Sequence, residues 1–119
     1  MCIRDSLTAI QQAFFAFFSK DKQHFNQAVR LSANSPLSIK VLEASLQKLL
    51  SHHDMLRTVF EHQEQEWIQW TKAICSLDLQ IVDLRSVEQT EAQIEQIATQ
   101  AQASFDLATG PLFLSLIHI

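Results

Sequence analysis

The chain has 119 residues, a formal net charge of -4 and 47% hydrophobic residues, enough apolar content for one globular domain or part of one. Its nine lysines and arginines are scattered and outnumbered by thirteen acids, which argues against a nucleic-acid partner, because neutralising phosphates needs a concentrated basic surface. No apolar run approaches the roughly 18–20 residues that span a bilayer, and residues 1–6 lack the apolar segment and cleavage site of a signal peptide, so no membrane partner and a cytoplasmic protein are expected.

Residues 8–18 read as a helix. Thr8 with Gln11 is a capping-box pattern, and Ile10, Phe14 and Phe17 or Phe18 recur at helical spacing. With Phe14-Phe15 and Phe17-Phe18 the helix is apolar over much of its circumference, so it wants burial on more than one side. Residues 19–24 form a polar loop. Phe25, Gln27, Val29, Leu31 and Ala33 then alternate with Asn26, Ala28, Arg30 and Ser32, which predicts a strand, stopped by the Asn34-Ser35-Pro36 turn. Residues 38–51 are a second helix, with Ser38 as N-cap and Ile39, Leu42, Leu46 and Leu49 as its inner stripe.

A strand over 56–62, a short polar turn at 63–65 and a strand over 66–71 predict a β-hairpin, with Trp67 and Trp70 on opposite faces. Leu77, Leu79 and Ile81 mark another strand, ending at an Asp83-Leu84-Arg85 corner. Ser86 with Gln89 forms a second capping-box pattern. Val87, Ile94, Ile97, Ala101 and Phe105 are the inner stripe of a helix whose other face, rich in Gln and Glu, is solvated. Residues 106–113 turn into a last strand. The order predicts an α+β sheet with packed helices.

The run His52-His53-Asp54-Met55-Leu56-Arg57 looks like an active site, but its spacing argues otherwise, because Asp54 directly follows His53. Adjacent histidines in a strand face opposite ways, and no Cys or carboxylate completes a metal shell around His52, His53 and His62; no metal site is expected. Cys2 and Cys75 are isolated, and Cys75 reads as an inert thiol at a strand edge. A single glycine, against an average usage of about 7%, removes every Gly-rich phosphate motif. It also suggests that the loop-rich, ligand-facing part of the fold is missing. Arg57 is the best-motivated polar residue, either a surface arginine or half of a pair.

Four segments in order resemble the condensation-domain superfamily of nonribosomal peptide synthetases: Leu7-Thr8-Ala9-Ile10-Gln11, His24-Phe25-Asn26-Gln27, His52 through Phe60, and Phe105-Asp106-Leu107 with Gly110-Pro111-Leu112. Ala9 departs from the usual proline. The His24-Phe25-Asn26 and His52-His53-Asp54 spellings favour the epimerization subfamily. The resemblance implies part of the N-terminal lobe of a chloramphenicol-acetyltransferase-like fold. It implies L-to-D inversion of an aminoacyl or peptidyl thioester carried on the phosphopantetheine of a peptidyl carrier domain. It further implies adjacent synthetase domains as partners and no directly bound cofactor or metal. The alternatives are a peptide-bond-forming condensation domain and a non-catalytic carrier-binding module. The family's catalytic His-His-x-x-x-Asp-Gly motif is not in this sequence, so no catalytic residue is expected here and the chain alone should be inactive. The resemblance makes Arg57 a support of the active site that holds the aspartate of that motif, and so leaves it unpaired in this chain.

Codons can be chosen so that the strings encoding residues 1–6 and residues 114–119 are reverse complements of each other over about 17 bases. Such an inverted repeat resembles the transposon mosaic end of tagmentation sequencing libraries. The expectation is that 1–6 and 114–119 are translated adapter, with 7–113 the native segment, and that any strand pairing by 114–119 is accidental.

Overall fold

The computed structural model describes residues 3–18, 20, 22–73 and 76–119. In chain order its elements are β1 (Ile3–Asp5), α1 (Ala9–Phe17), α2 (Ile39–His52), β2 (Thr58–Gln63), β3 (Glu66–Thr71), β4 (Asp78–Val82), α3 (Thr90–Ala103) and β5 (Leu114–His118), with 3-10 turns at Lys22–His24 and Asp54–Arg57. The architecture is α+β. Among the described residues no helix is long and apolar enough to cross a membrane. The predicted inert thiol, Cys75, lies outside the described residues.

Two of the three helices start where their caps predict. In α1, Thr8 Oγ1 accepts from the Gln11 N–H, and Gln11 Oε1 accepts from the Thr8 N–H at 2.8 Å, which closes the capping box. Ser38 accepts from the Val41 N–H at the start of α2. The third helix differs. It begins at Thr90 behind Gln89, which makes no side-chain cap, so the Ser86/Gln89 box does not form. Residues 85–89 stay in turns, and the Thr90 hydroxyl donates to the Val87 carbonyl at 3.0 Å. Phe105 falls beyond the end of α3.

The hairpin forms with β2 paired to β3 from Thr58↔Thr71 to Gln63↔Glu66. Its two-residue turn, Glu64-Gln65, has φ of 47° and 72°, the doubly left-handed geometry that matches strand twist and favours Asn-Gly. Trp67 and Trp70 do face opposite ways: Trp67 stacks on Phe15 at 4.1 Å, and Trp70 donates to Glu61 at 3.0 Å. The strand starts at Thr58, not at Leu56, because 54–57 are taken up by the 3-10 turn.

Two further expectations are corrected. The strands form two sheets, an antiparallel β1-β3-β2 and a parallel β4-β5 pair, where one sheet was expected. Residues 25–33 are extended but belong to no ladder. Both terminal segments do pair, β1 with β3 and β5 with β4. Those ladders are main-chain bonds, which segments of many sequences can make. The buried apolar residues are few: Leu50, Val59, Ile68, Leu84 and Ile94.

Candidate functional site

The sharp turn from α2 into β2 is organised by Arg57. Its Nε donates to the Lys72 carbonyl at 2.9 Å, and its Nη1 donates to the Leu50 and Ser51 carbonyls at 2.8 and 2.7 Å. Its Nη2 pairs with the Asp54 carboxylate. The last turn of a helix leaves carbonyls without intrahelical donors, and a planar guanidinium with a fixed fork of N–H groups can serve several of them at once. The side chain is 10% exposed. The expectation that Arg57 is unpaired is therefore overturned: main-chain oxygens and Asp54 serve as its partners.

Thr58, next in the chain and 1% exposed, continues the same polar node. Its Oγ1 donates to the Asp54 carbonyl at 3.0 Å and lies 3.3 Å from Thr71 Oγ1 across the hairpin. The Lys72 N–H donates to the Arg57 carbonyl at 3.1 Å. The two strand ends are thus tied to the helix end through one guanidinium.

The Phe105-to-Leu112 motif docks on this hairpin. Asp106 shapes its turn: its Oδ1 accepts from the Ala108 N–H at 2.9 Å and its carbonyl accepts from the Gly110 N–H at 2.8 Å. The Ala108 hydrogen bond is the main reason the Asp106 carboxyl titrates below its ordinary value. The turn presents the Leu107 carbonyl to the Phe60 N–H at 2.7 Å and the Thr109 carbonyl to the Lys72 ammonium. Gly110 sits at φ +60°, and a Cβ there would stand 3.0 Å from Val59 Cγ1. The one glycine of the chain is placed where close approach and a left-handed backbone coincide.

The first motif also reaches β3. Gln11 Nε2 donates to Gln69 Oε1 at 3.3 Å, and Gln69, 7% exposed, donates to the Ser6 carbonyl at 2.8 Å. Sequence reasoning missed Gln69 and Lys72. The available signal for Gln69 was a polar residue between two tryptophans in a strand; for Lys72 there was none.

The histidines do not converge. His52 and His53 are exposed at the end of α2 with their rings edge-to-face at 4.8 Å, and His62 lies against Trp67 on the hairpin. No cluster of three His, Cys, Asp or Glu suited to a metal occurs among the described residues. The Asp83–Arg85 corner is an exposed ion pair, in which the Arg85 guanidinium and backbone N–H hold the Asp83 carboxyl at about 2.

Three of the four sequence motifs thus meet around β2 and β3, and the arrangement is that of a lobe in which a helix end, a hairpin and a clasping loop frame one polar node. The chain belongs to the Condensation domain family, whose model matches residues 5–118. It is 33% identical over 108 residues to bacitracin synthase 3 of Bacillus licheniformis, covering 89% of this chain and 2% of that protein. It is 32% identical over 109 residues to tyrocidine synthase 2 of Brevibacillus parabrevis, covering 90% and 3%. Among solved structures, the epimerization domain from the third module of tyrocidine synthetase B superposes with a TM-score of 0.92 at 29% identity, over 99% of this chain and 27% of that one. A starter condensation domain of rhizomide synthetase shares the fold, with a TM-score of 0.72 at 18% identity over 97% of this chain and 27% of that one. The chain therefore spans a small fraction of the curated relatives and about a quarter of the solved domains.

Proposed function

We propose that this chain is the N-terminal part of an epimerization domain of a nonribosomal peptide synthetase. The observation that carries the reading is the fit to the tyrocidine synthetase B epimerization domain across 99% of the chain. The His24-Phe25-Asn26 and His52-His53-Asp54 spellings support it. In the proposed reaction a carrier domain presents an aminoacyl or peptidyl thioester on phosphopantetheine. The thioester acidifies the α-carbon, a base removes its proton on one face, and an acid returns one on the other. This needs no cofactor bound by the chain, and takes place in the cytoplasm alongside the adjacent synthetase domains.

The acid and base come from outside this chain. Asp54 is held by Arg57, Glu61 is held by Trp70, and His52 and His53 point into solvent at a helix end. The role proposed for Arg57 is positioning. It fixes the helix end and hairpin against which the catalytic segment packs, with one guanidinium N–H left to meet that segment's aspartate.

The test is a chimera in which this chain replaces the matching quarter of the tyrocidine synthetase B epimerization domain. With carrier-bound aminoacyl thioester in deuterated water, the chimera should exchange and invert the α-hydrogen, and the chain alone should do neither. Turnover by the chain alone would sink the reading. A chimera that joins two carrier-bound substrates would mark a condensation domain. A folded chimera that binds carrier domain and does neither would mark a non-catalytic carrier-binding module.

A further inference from the structure

The chain contains two asparagines, Asn26 and Asn34, and their surroundings differ. Asn26 is half-buried beside α3. Its Nδ2 donates to the Gln102 carbonyl at 3.2 Å, and its N–H donates to the His24 carbonyl at 3.0 Å. Further along, Arg30 makes a two-pronged pair with Glu91 at 2.9 and 3.0 Å, a second tether of this segment to α3. Asn34 lies beyond both tethers. It sits in a bend with Ser35, and both residues are exposed. Neither the Asn34 carboxamide nor the Ser35 N–H makes a hydrogen bond among the described residues.

The neighbouring residues keep that N–H free. Pro36 disfavours helical backbone at Ser35, so α2 does not extend back past its Ser38 cap to take up the Ser35 N–H. No ladder includes residues 34 and 35 either. A backbone nitrogen left in this state, next to a free carboxamide and followed by a small side chain, can close a five-membered ring onto the asparagine before it. At Asn26 the carboxamide would first have to leave Gln102, and the next residue is the longer Gln27.

We propose that Asn34 is a site of spontaneous covalent modification, in which the Ser35 nitrogen attacks the Asn34 carboxamide and residue 34 becomes aspartate or isoaspartate. The bond from the Ser35 nitrogen to Asn34 Cγ forms as the Cγ–Nδ2 bond breaks. Nδ2 leaves as ammonia and takes the proton of the Ser35 amide. Water, the one co-reactant, then opens the succinimide ring. Cleavage at Cγ restores the main chain with aspartate at 34; cleavage at the main-chain carbonyl carbon leaves the chain running through Cγ, as isoaspartate. Nothing is oxidised or reduced. Either product makes the net charge of -4 one unit more negative. Isoaspartate also adds one carbon to the main chain between the Arg30–Glu91 pair and the Ser38 cap. The reaction needs only water and residues of this chain, and is independent of the epimerization reading.

Incubation of the 119-residue chain at mildly alkaline pH, followed by trypsin and mass spectrometry, tests it. The tryptic peptide of residues 31–40 holds Asn34 and no other amide or acidic side chain, so an amide-to-acid mass change there reports residue 34 alone. Chromatography separates the two products, and a protease that cuts before aspartate leaves the isoaspartate form whole. Both products should form, and Asn34 should convert at least about fivefold faster than Asn26, the rate factor for a hydrogen bond that must first break. The Asn34 rate should be the same in urea as in the folded chain. Ser35→Gly should speed conversion and Ser35→Val should slow it; residue 35 is exposed, so neither substitution threatens the fold. Aspartate without isoaspartate would mean direct hydrolysis of the carboxamide and would overturn the proposal. So would a rate indifferent to residue 35, or a folded-chain rate no higher at Asn34 than at Asn26. A rate at Asn34 that climbs several-fold in urea would show that the fold restrains it, and would overturn the proposal too.

Discussion

The Arg57 node and the 25–33 segment handle their groups in opposite ways. Around Arg57, the Nε, Nη1 and Nη2 donors of a mostly buried charge each find an oxygen within the chain, and Thr58 beneath them is equally satisfied. Along 27–33, the main-chain groups make no backbone hydrogen bond among the described residues, and Val29 and Leu31 are left to water. A hydrogen bond can be completed by a local carbonyl, whereas burial of an apolar stripe needs a second surface. Around Arg57 polar groups are therefore largely satisfied within the chain, whereas along 27–33 the apolar side chains are not buried.

The comparison breaks most visibly if Arg57 proves dispensable. Arg57→Ala should cost on the order of 3 kcal/mol, because it strips four oxygens of their donor in a mostly buried place. Urea unfolding followed by Trp67 and Trp70 fluorescence measures it, and Arg57→Lys should recover little, since an ammonium cannot span the same fork. A loss under about 1 kcal/mol would reduce the node to an ordinary surface arginine.

Gly110→Ala should cost about 2 kcal/mol, from the left-handed backbone and the approach to Val59; a neutral result would show that the clasp loop shifts freely. Thr58→Val, nearly isosteric, should cost about 1 kcal/mol through the lost hydroxyl contacts to the Asp54 carbonyl and Thr71, read in the same unfolding assay.

On the open side the effects shrink. Glu91 titrates below its ordinary value because of the hydrogen bond and charge of Arg30. A depressed carboxyl contributes above its unfolded value and loses that contribution as pH falls through its folded value. As pH falls below the ordinary glutamate range, about 4.3, the tether should therefore loosen, and backbone order parameters of 27–33 from NMR relaxation should fall. Unchanged order would show that Asn26 alone holds the segment. Smallest of all, Val29→Ser should change the stability of the chain by less than about 0.5 kcal/mol, where the same change at buried Val59 would not be tolerated. A large effect at Val29 would mean that its stripe is already covered.

Helix starts governed by a side chain within three residues, Thr8 with Gln11 and Ser38, were legible in the sequence. The hairpin was too, because its alternation and turn are local. The start of α3 was not: Ser86 with Gln89 has the same spelling as a real capping box, and only the turns at 85–89 decide against it. The alternation of 25–33 predicted a strand, but alternation says nothing of whether a neighbour exists, and no ladder forms there among the described residues. Arg57 was singled out by residue type and resemblance, while the partners it has within the chain were not foreseen. Carbonyl oxygens carry no residue identity, so a cage built from Leu50, Ser51 and Lys72 leaves no trace in the letters.

The Glu64-Gln65 turn carries a consequence for the order of assembly. Two non-glycine residues at positive φ make this a poor nucleus, so the hairpin should close late and take its register from what it packs against. One of those supports is the Leu107 carbonyl, received by Phe60 across 47 residues of chain. Contacts that distant are slow to find. During synthesis, which releases the chain from its N-terminus, β2 and β3 would wait for the clasp loop to emerge. Asn-Gly in place of Glu64-Gln65 should therefore speed folding more than it slows unfolding.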